Sequence, residues 1–351
     1  MHFPKALPAL TGLALLMASC GDYAKKTIPV ASGANDSLNN ILEDYYEDKV
    51  WFFPVEATFN SENRYNDKLN IDISEGFRRS VDSMYASYQA QLIAIDTAGL
   101  DDNHRLSYAT FSRELSIGRE GLTFHDHLMP IQQFSSLPLT LPQLGSGTSA
   151  QPFKTKKDYA DFISRMKSFA EWSDTAVSNM RRGMAEGYVW PQTLVTKVIP
   201  QLADLAKNDT ASNIFFNPIR LIPADITGDD RSQLAKEYAA AVRTYILPSY
   251  KKLHTFFVEE YLPKSRTTSG IDAVPDGAAY YTYLVKYWTT TTKKPDEIFA
   301  LGEREVARIR SEMEAIKNET GFKGDLNAFF QFIRTDKQFK IFKTPGAVID
   351  S

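Results

Sequence analysis

The chain has 351 residues, 43% hydrophobic and 12% aromatic, so it can bury a sizeable core and is not wholly disordered. Its 40 basic and 43 acidic residues give a formal net charge of −3, which gives no reason to expect nucleic acid as a partner. One Cys excludes a disulfide framework and any Cys-rich zinc or iron–sulfur site within a single chain.

The first nineteen residues are typical of a secretory signal peptide. Lys5 precedes an apolar run, Ala9 to Met17, that is shorter than the ~20 residues needed to span a bilayer. The run ends in Met17-Ala18-Ser19-Cys20, and this spacing resembles the lipobox of bacterial lipoproteins. We therefore expect residues 1–19 to be a signal peptide and Cys20 to carry the lipid, and the alternative is an ordinary secreted protein.

This interpretation predicts an extracytoplasmic protein anchored to a bacterial membrane, without indicating which leaflet holds it. A lipidated Cys that carries at least two acyl chains anchors firmly. Removal of Lys5 leaves 39 basic against 43 acidic residues, a net charge of −4. Residues 20–36 are polar, contain Ser32-Gly33-Ala34-Asn35, and are predicted to form a flexible tether.

The rest of the chain has helical periodicity. Apolar residues recur at steps of three and four between Tyr159 and Met184, while charged residues such as Arg165 fall mostly on the other face; Gly187 is the predicted end. A second stripe runs from Leu234 to Phe257, and Pro248 inside it predicts a kink or a break. Helices are also predicted over residues 37–50, 74–95 and 101–120, and no clear strand is found.

Two more helices are predicted near the end of the sequence. One begins near Pro295 and ends near Gly321, and a shorter one begins at Asp325. The first is predicted to bury the following apolar residues: Ile298, Leu301, Val306, Ile309, Met313 and Ile316. The fold class is therefore all-α, with long antiparallel helices in one large domain or two lobes.

Few residues have the type and spacing that a catalytic, metal-binding or substrate-binding site requires. His125 and His127 would share a metal if they lay on a strand, but neither a strand nor a third ligand is evident, and a surface turn is the preferred interpretation. Arg181 and Arg182 would hold a substrate carboxylate or complement a helix end. The structural interpretation is preferred for these arginines, so no catalytic or metal-binding residue is assigned.

An aromatic cluster follows residue 279. Tyr280 and Tyr281 are, with Arg181 and Arg182, the candidate substrate-binding residues. Together with Tyr283, Tyr287 and Trp288 they would line a peptide or sugar cleft, although aromatic residues at these spacings more often belong to a core.

Several short motifs occur in an order that resembles one bacterial family. They begin with the segment Met180 to Pro191, in which Met-Arg-x-Gly is followed by Gly187 and Pro191. The later motifs are Pro248-Ser249-Tyr250, Glu260-Tyr261-Leu262-Pro263, Pro275-Asp276-Gly277, Tyr280-Tyr281, and the segment Pro295 to Gly302. From about residue 40 onward the chain resembles the domain of unknown function 885 family. The resemblance implies a largely helical, often lipid-anchored protein that is similar to zinc metallopeptidases of the H-E-x-x-H superfamily.

The chain departs from that family at the site the resemblance implies. The family's zinc-binding helix follows the matched region, and the chain contains no H-E-x-x-H motif. A zinc site needs about three protein ligands and a Glu as general base. We therefore expect residues 37–351 to be the N-terminal part of a metallopeptidase-like domain whose catalytic half is absent.

The leading hypothesis is a helical, cleft-forming half of a lipid-anchored, zinc-dependent peptidase-like protein that acts on peptides. This chain alone is predicted to be inactive and to hold no cofactor, with zinc implied only for the full-length family. A domain cut through its core leaves apolar faces uncovered, so an exposed patch is predicted on the helices after Pro295. The alternative is a non-catalytic helical lipoprotein that captures peptides or glycans.

Overall fold

The computed structural model describes residues 33–350, and within that range helices supply the regular structure. The strand-like pairing found there is an isolated bridge between Pro191 and Arg266. The all-α prediction is therefore confirmed. The predicted signal peptide, Cys20 and most of the predicted tether lie outside the described residues. The first helix begins at Ala34, inside the segment predicted as tether.

Among residues 33–350, no helix has both the length and the apolar composition that a membrane span requires.

The first lobe has its own hydrophobic core. It contains the helices α1 (Ala34–Phe52), α2 (Pro54–Phe59), α3 (Glu75–Ile93) and α4 (Asp102–Gly121). The core lies between α1, α3 and α4 and includes Leu38, Tyr45, Met84, Tyr88, Phe111 and Leu115. The side chains of Ser74 and Asp101 accept hydrogen bonds from backbone N–H groups one turn into α3 and α4, which fixes where both helices begin.

The second lobe is built around one long central helix. It contains the helices α5 (Leu137–Leu144), α6 (Lys156–Glu186), α7 (Gln192–Leu205), α8 (Asn217–Arg220), α9 (Gly228–Ala241) and α10 (Leu247–Phe256). The apolar stripe of α6 is fully buried at Phe162, Phe169 and Met180. Thr155 and Asp158 form a capping box at its start, and Gly187 ends it with φ +92°. The predicted helix end at Gly187 is confirmed.

The chain stays helical through Pro248, and the interruption predicted there takes the form of a π-helical segment just before the proline. A π-helical segment, Val242–Ile246, joins α9 to α10, and a second one, Phe257–Tyr261, follows α10. The N–H of Leu247 bonds to the carbonyl of Val242, five residues back. This wider turn accommodates a proline that lacks an N–H, so the helical path continues from residue 228 to residue 261.

Arg165 is an exception among the charged residues of α6, because it is fully buried. Its guanidinium donates to the carbonyls of Lys68, Pro54 and Tyr65, and to the side chains of Thr58 and Gln151. Burial lowers the pKa of this arginine to about 10. The charge is thus held by a full set of acceptors, and it fastens the segment after α2 to the second lobe.

The last helices lie outside both cores. They are α11 (Gly277–Thr289), α12 (Pro295–Glu319), α13 (Leu326–Thr335) and α14 (Pro345–Ile349). The predicted helix starts near Pro295 and at Asp325 are confirmed. Gly321, the predicted end of the first of these helices, follows α12 with φ +73°.

The apolar face predicted to be buried on α12 is exposed, so that prediction is wrong. Val306 and Ile316 keep 67% and 56% of their surface accessible, because α12 packs mainly against α13 and not against a core. The exposed patch predicted after Pro295 is therefore present. We call it the α12 stripe, and it consists of Phe299, Val306, Ile309, Met313 and Ile316.

Candidate functional site

A cavity of about 370 Å³ lies between the first lobe and α11. We call it the interlobe cavity. One wall is formed by α3 and the end of α4, and the opposite wall by α11. The residues that line it are Phe53, Asp72, Phe77, Arg78, Val81, Tyr85, Gly118, Gly121, Leu122, Asp126, Tyr280, Tyr283, Leu284, Tyr287 and Trp288.

Two glycines of α4 allow the aromatic rings to come close. A Cβ atom at Gly118 would lie 2.8 Å from Cε2 of Tyr85, and one at Gly121 would collide with the hydroxyl of Tyr283. The absence of side chains at these positions therefore lets two tyrosines lie directly against the helix backbone. The contact at Gly121 brings α11 up to α4 beside the cavity.

Tyr85, Tyr280 and Tyr283 of the cavity are hydrogen-bond donors at neutral pH. Burial raises the pKa of Tyr85, Tyr280 and Tyr283 to about 12 in each case. The rings of Tyr280 and Tyr283 are stacked, with centroids 6.2 Å apart and an interplanar angle of 12°. The α11 wall thus combines flat apolar faces with neutral hydroxyl groups.

Both terminal nitrogens of Arg78 donate hydrogen bonds to protein groups. Its Nη2 donates to the carbonyls of Leu122 and Phe124, at 2.9 and 2.7 Å, and its Nη1 donates to Oδ1 of Asp126 at 2.9 Å. The carbonyls belong to the chain that leaves α4, so Arg78 joins α3 to that segment. It is a structural cation rather than an open anion site.

Asp72, unlike Arg78, is not part of an ion pair among the described residues. Its Oδ1 accepts a hydrogen bond of 2.7 Å from Nε1 of Trp172, and within residues 33–350 no cationic side chain forms an ion pair with it. Residue 72 keeps accessible surface because it lines the cavity, while the protein packed around it raises the pKa of its carboxyl group by burial. A carboxylate without a cationic partner therefore faces the interlobe cavity.

A polar cluster lies beside the cavity, next to Asp126. Nη2 of Arg182 lies 2.7 Å from Nε2 of His127 and 2.8 Å from Oε1 of Glu75. Nε2 of His127 also lies 3.2 Å from Oε1 of Glu75, but the shorter contact is with the arginine, which must donate. We therefore assign Nε2 as the acceptor and the ring proton to Nδ1, which is buried without a partner. Burial and the nearby Arg78 lower the pKa of His127, in agreement with a neutral ring.

The preferred interpretation of the His pair as a surface turn is wrong for His127, which is only 5% exposed. The rings of His125 and His127 lie 5.9 Å apart, and His125 also stacks near Tyr188. The segment Asp126–Leu128 is a short 3₁₀ helix held against α6, which explains the burial.

The four substrate-binding candidates named from the sequence are not brought together. Tyr280 lines the interlobe cavity, whereas Tyr281 is exposed and does not line it. Arg182 belongs to the cluster with Glu75 and His127. Arg181 forms a bidentate pair with Glu260, at 2.8 and 2.7 Å. A carboxylate grip by these arginines stays a prediction, and their present partners are carboxylates of the protein itself.

The described residues do not fit the zinc that the resemblance implies. Residues 33–350 contain no group of three His, Cys, Asp or Glu side chains placed to hold a metal ion. The two neighbouring histidines do not supply a site either, because Nε2 of His127 is occupied by Arg182.

Sequence reasoning missed Asp72 and Arg78. Asp72 stands between Ile71 and Ile73, two residues before Ser74, which caps α3, and an acid between two apolar residues is a weak signal of partial burial. Arg78 carries no signal of its own, since its partners lie more than forty residues away in the sequence.

The chain was compared with known proteins. The family described as "Bacterial protein of unknown function (DUF885)" matches residues 54–350. No curated protein matches the chain. A crystal structure described as that of a candidate lipoprotein from Colwellia psychrerythraea is similar, with a TM-score of 0.72 and 17% sequence identity over 88% of this chain. At that identity the likeness shows the fold alone.

The chain spans only 55% of the length of the Colwellia protein. The family match, in contrast, covers most of the chain and includes both walls of the interlobe cavity. On the strength of that match, the chain belongs to the family of bacterial proteins of unknown function known as DUF885.

Proposed function

We propose that this chain is the helical, cleft-forming part of a longer, lipid-anchored, extracytoplasmic protein that resembles peptidases, and that by itself it binds peptides without cleaving them. The interlobe cavity carries this proposal. Its volume lies within the range of about 300–1,000 Å³ that is usual for ligand sites, and its walls are aromatic with a few polar groups.

The α12 stripe supports the view that a further part of the protein packs here. Soluble monomers rarely leave several large apolar side chains together on one helix face. The similar Colwellia structure extends well beyond the portion that this chain matches. We assign the covering of the α12 stripe to that additional part.

The proposal places any zinc and its ligands in the additional part, because residues 33–350 do not fit a metal site. No catalytic step is assigned to the residues described. Their role in the proposal is to bind and orient a peptide at the interlobe cavity.

A direct test is to supply the purified chain, without its first nineteen residues, with zinc and a defined peptide mixture. We expect the products, analysed by mass spectrometry, to contain no cleaved peptide, while titration detects peptide binding. Hydrolysis that disappears with a chelator would contradict the assignment of catalysis to another part.

The uncovered face has a separate test that uses a matched pair of variants. The double variant V306E/I309E places two charges on the α12 stripe, whereas A307E/S311E places them on the opposite face of the same helix. We expect the first to reduce the fluorescence of a bound apolar dye and the second to leave it unchanged. Equal dye binding by both would remove the α12 stripe as support.

The lipid anchor is tested with Cys20→Ala in cells. The proposal expects the unchanged protein to fractionate with membranes and to incorporate labelled fatty acid, and the variant to do neither. An unlabelled, secreted protein in both cases would overturn the anchor.

The alternative, a non-catalytic binding lipoprotein, is favoured by one observation. Tyr287 is 43% exposed and Trp288 is exposed beside it, so the aromatic residues of α11 reach solvent and are not a sealed core. The intact mass of the native protein separates the two proposals. A product longer than 351 residues with an H-E-x-x-H segment would support the peptidase-like protein, and a mass matching the lipidated 351-residue chain would support the alternative.

A further inference from the structure

The interlobe cavity has an unusual charge arrangement. Of its two carboxylates, Asp126 is paired with Arg78, and Asp72 has no cationic partner within residues 33–350. Residue 72 keeps accessible surface, so a ligand can reach the carboxylate, while the protein packed around it removes part of the hydration that stabilises the charge. The cavity therefore presents a negative charge that a positively charged ligand would neutralise.

Trp172 holds this carboxylate in place. The indole N–H is a neutral donor on the buried ring of a core residue, so it orients Oδ1 of Asp72 without neutralising the charge. Since Trp172 lies on the central helix α6, the position of the carboxylate is set by the rigid second lobe.

The rest of the cavity is lined mainly by aromatic rings. Phe53 and Phe77 lie on the side of the first lobe, and Tyr280, Tyr287 and Trp288 lie on α11. Aromatic faces carry partial negative charge and attract ammonium and guanidinium groups that lie within about 6 Å of the ring centroid. Rings on both sides and an unpaired carboxylate are complementary to a cation of organic type.

An anionic ligand has no comparable partner. The lining cation is Arg78, and its Nη1 and Nη2 atoms already bond to Asp126 and two backbone carbonyls. An anion would have to displace those bonds and would also meet the charge of Asp72.

We propose that the interlobe cavity binds the ammonium or guanidinium group of an organic ligand, with Asp72 as its counter-ion and the aromatic rings of α11 around its apolar stem. For a peptide ligand this means a Lys or Arg side chain. The proposal deepens the proposed function by naming the class of peptide, and in that respect it rests on it.

The test compares ligands that differ only in charge. Acetyl-Ala-Arg-Ala-amide is titrated against its citrulline counterpart, whose side chain is nearly the same shape but neutral, and agmatine serves as a guanidinium without a peptide. Binding is measured by calorimetry and by tryptophan fluorescence, with Trp288→Phe identifying the signal from the cavity. We expect the Arg peptide to bind about tenfold more tightly than the citrulline peptide.

Asp72→Asn is the decisive variant, because its amide oxygen still accepts the bond from Trp172 while the charge is removed. We expect it to abolish the preference for arginine, whereas Asp225→Asn, at an exposed acid before α9, keeps it. Circular dichroism checks that both variants fold. Should Asp72→Asn fail to fold, Tyr287→Leu at a partly exposed ring is expected to reduce the preference.

The outcomes separate this inference from the proposed function. Equal binding of the Arg and citrulline peptides would overturn the inference and leave peptide binding standing. Asp72-dependent binding of agmatine without binding of either peptide would support the inference and overturn the peptide ligand. An unchanged preference in Asp72→Asn, or no binding of any probe, would overturn the inference.

Discussion

The helices α6 and α12 carry similar apolar stripes, and they differ in what covers them. On α6, Phe162, Phe169 and Met180 are fully buried by the surrounding helices of the second lobe, whereas the α12 stripe remains exposed along its length. The spacing of apolar residues predicts which face of a helix is apolar. Whether that face is buried depends on neighbours that the helix itself does not encode.

The largest expected difference between the two helices is in the stability lost when one aromatic ring is removed from each. Phe169→Ala empties part of the core and is expected to lower the free energy of unfolding by about 3–5 kcal/mol. Phe299→Ala on the α12 stripe is expected to change it by less than about 0.5 kcal/mol. Urea unfolding measures both, and similar losses would show that the α12 stripe is covered in solution.

The arginines of the two helices provide a second contrast. Arg165→Met leaves three backbone carbonyls and two side chains without their donor, so we expect a loss of about 3 kcal/mol. Arg308→Met removes only exposed pairs with Glu305 and Glu312 and is expected to have an effect below about 0.5 kcal/mol. A small loss for Arg165→Met in urea unfolding would mean that water replaces the missing donor.

Replacing a glycine with alanine is expected to lower the stability of the protein at the end of α6 and to raise it within α12. Gly187 ends α6 with φ +92°, so Gly187→Ala is expected to destabilise the protein by about 1 kcal/mol. Gly302 lies within α12 and has no atom near the place of a Cβ, so Gly302→Ala is expected to stabilise that helix by up to about 1 kcal/mol. Thermal unfolding followed by circular dichroism measures both, and a stabilising Gly187→Ala would contradict the αL cap.

The smallest expected effect is the change with pH in the stability that Asp72 removes from the folded protein. Burial raises the folded-state pKa of this carboxyl group above its unfolded-state value, so the stability of the protein falls as the pH rises from the unfolded-state value through the folded-state one. Asp72→Asn should therefore raise stability at neutral pH, and the gain should shrink near pH 3, where the carboxyl is protonated in both states. Urea unfolding at the two pH values checks this, with Asp225→Asn as the control that should show no such trend.

The helix boundaries were largely predictable because they depend on local chemistry. Ser74, Asp101 and Asp325 accept bonds from the first turn of their helices, and Gly187 adopts a backbone conformation that suits glycine. Each of these signals involves residues a few positions apart. The π-helical response to Pro248 was not predictable, because it depends on how the helix packs on α6 and α7.

The candidate site was predicted in part: of the aromatic residues named as cleft-lining, Tyr280, Tyr283, Tyr287 and Trp288 line the cavity, and Tyr281 does not. The cavity brings Asp72 from a loop, Arg78 from α3 and Tyr280 from α11 to one place, and these segments are up to two hundred residues apart. The burial of His127 has the same origin, since it follows from contact with Glu75 and Arg182. Long-range contacts of this kind leave no periodic pattern in the sequence.

The two walls of the interlobe cavity are attached to the protein in different ways. On one side, Arg78 ties α3 to the chain after α4, within a lobe that has its own core. On the other side, α11 is held to α4 by the bond from Arg113 to the carbonyl of Lys286 and by the ion pair of Lys286 with Glu120. Rings of α11 also pack on this side, since Tyr280 and Tyr283 lie against Phe124. Because α11 belongs to neither core, we expect it to move more readily than α3 and to govern the speed at which a ligand enters and leaves.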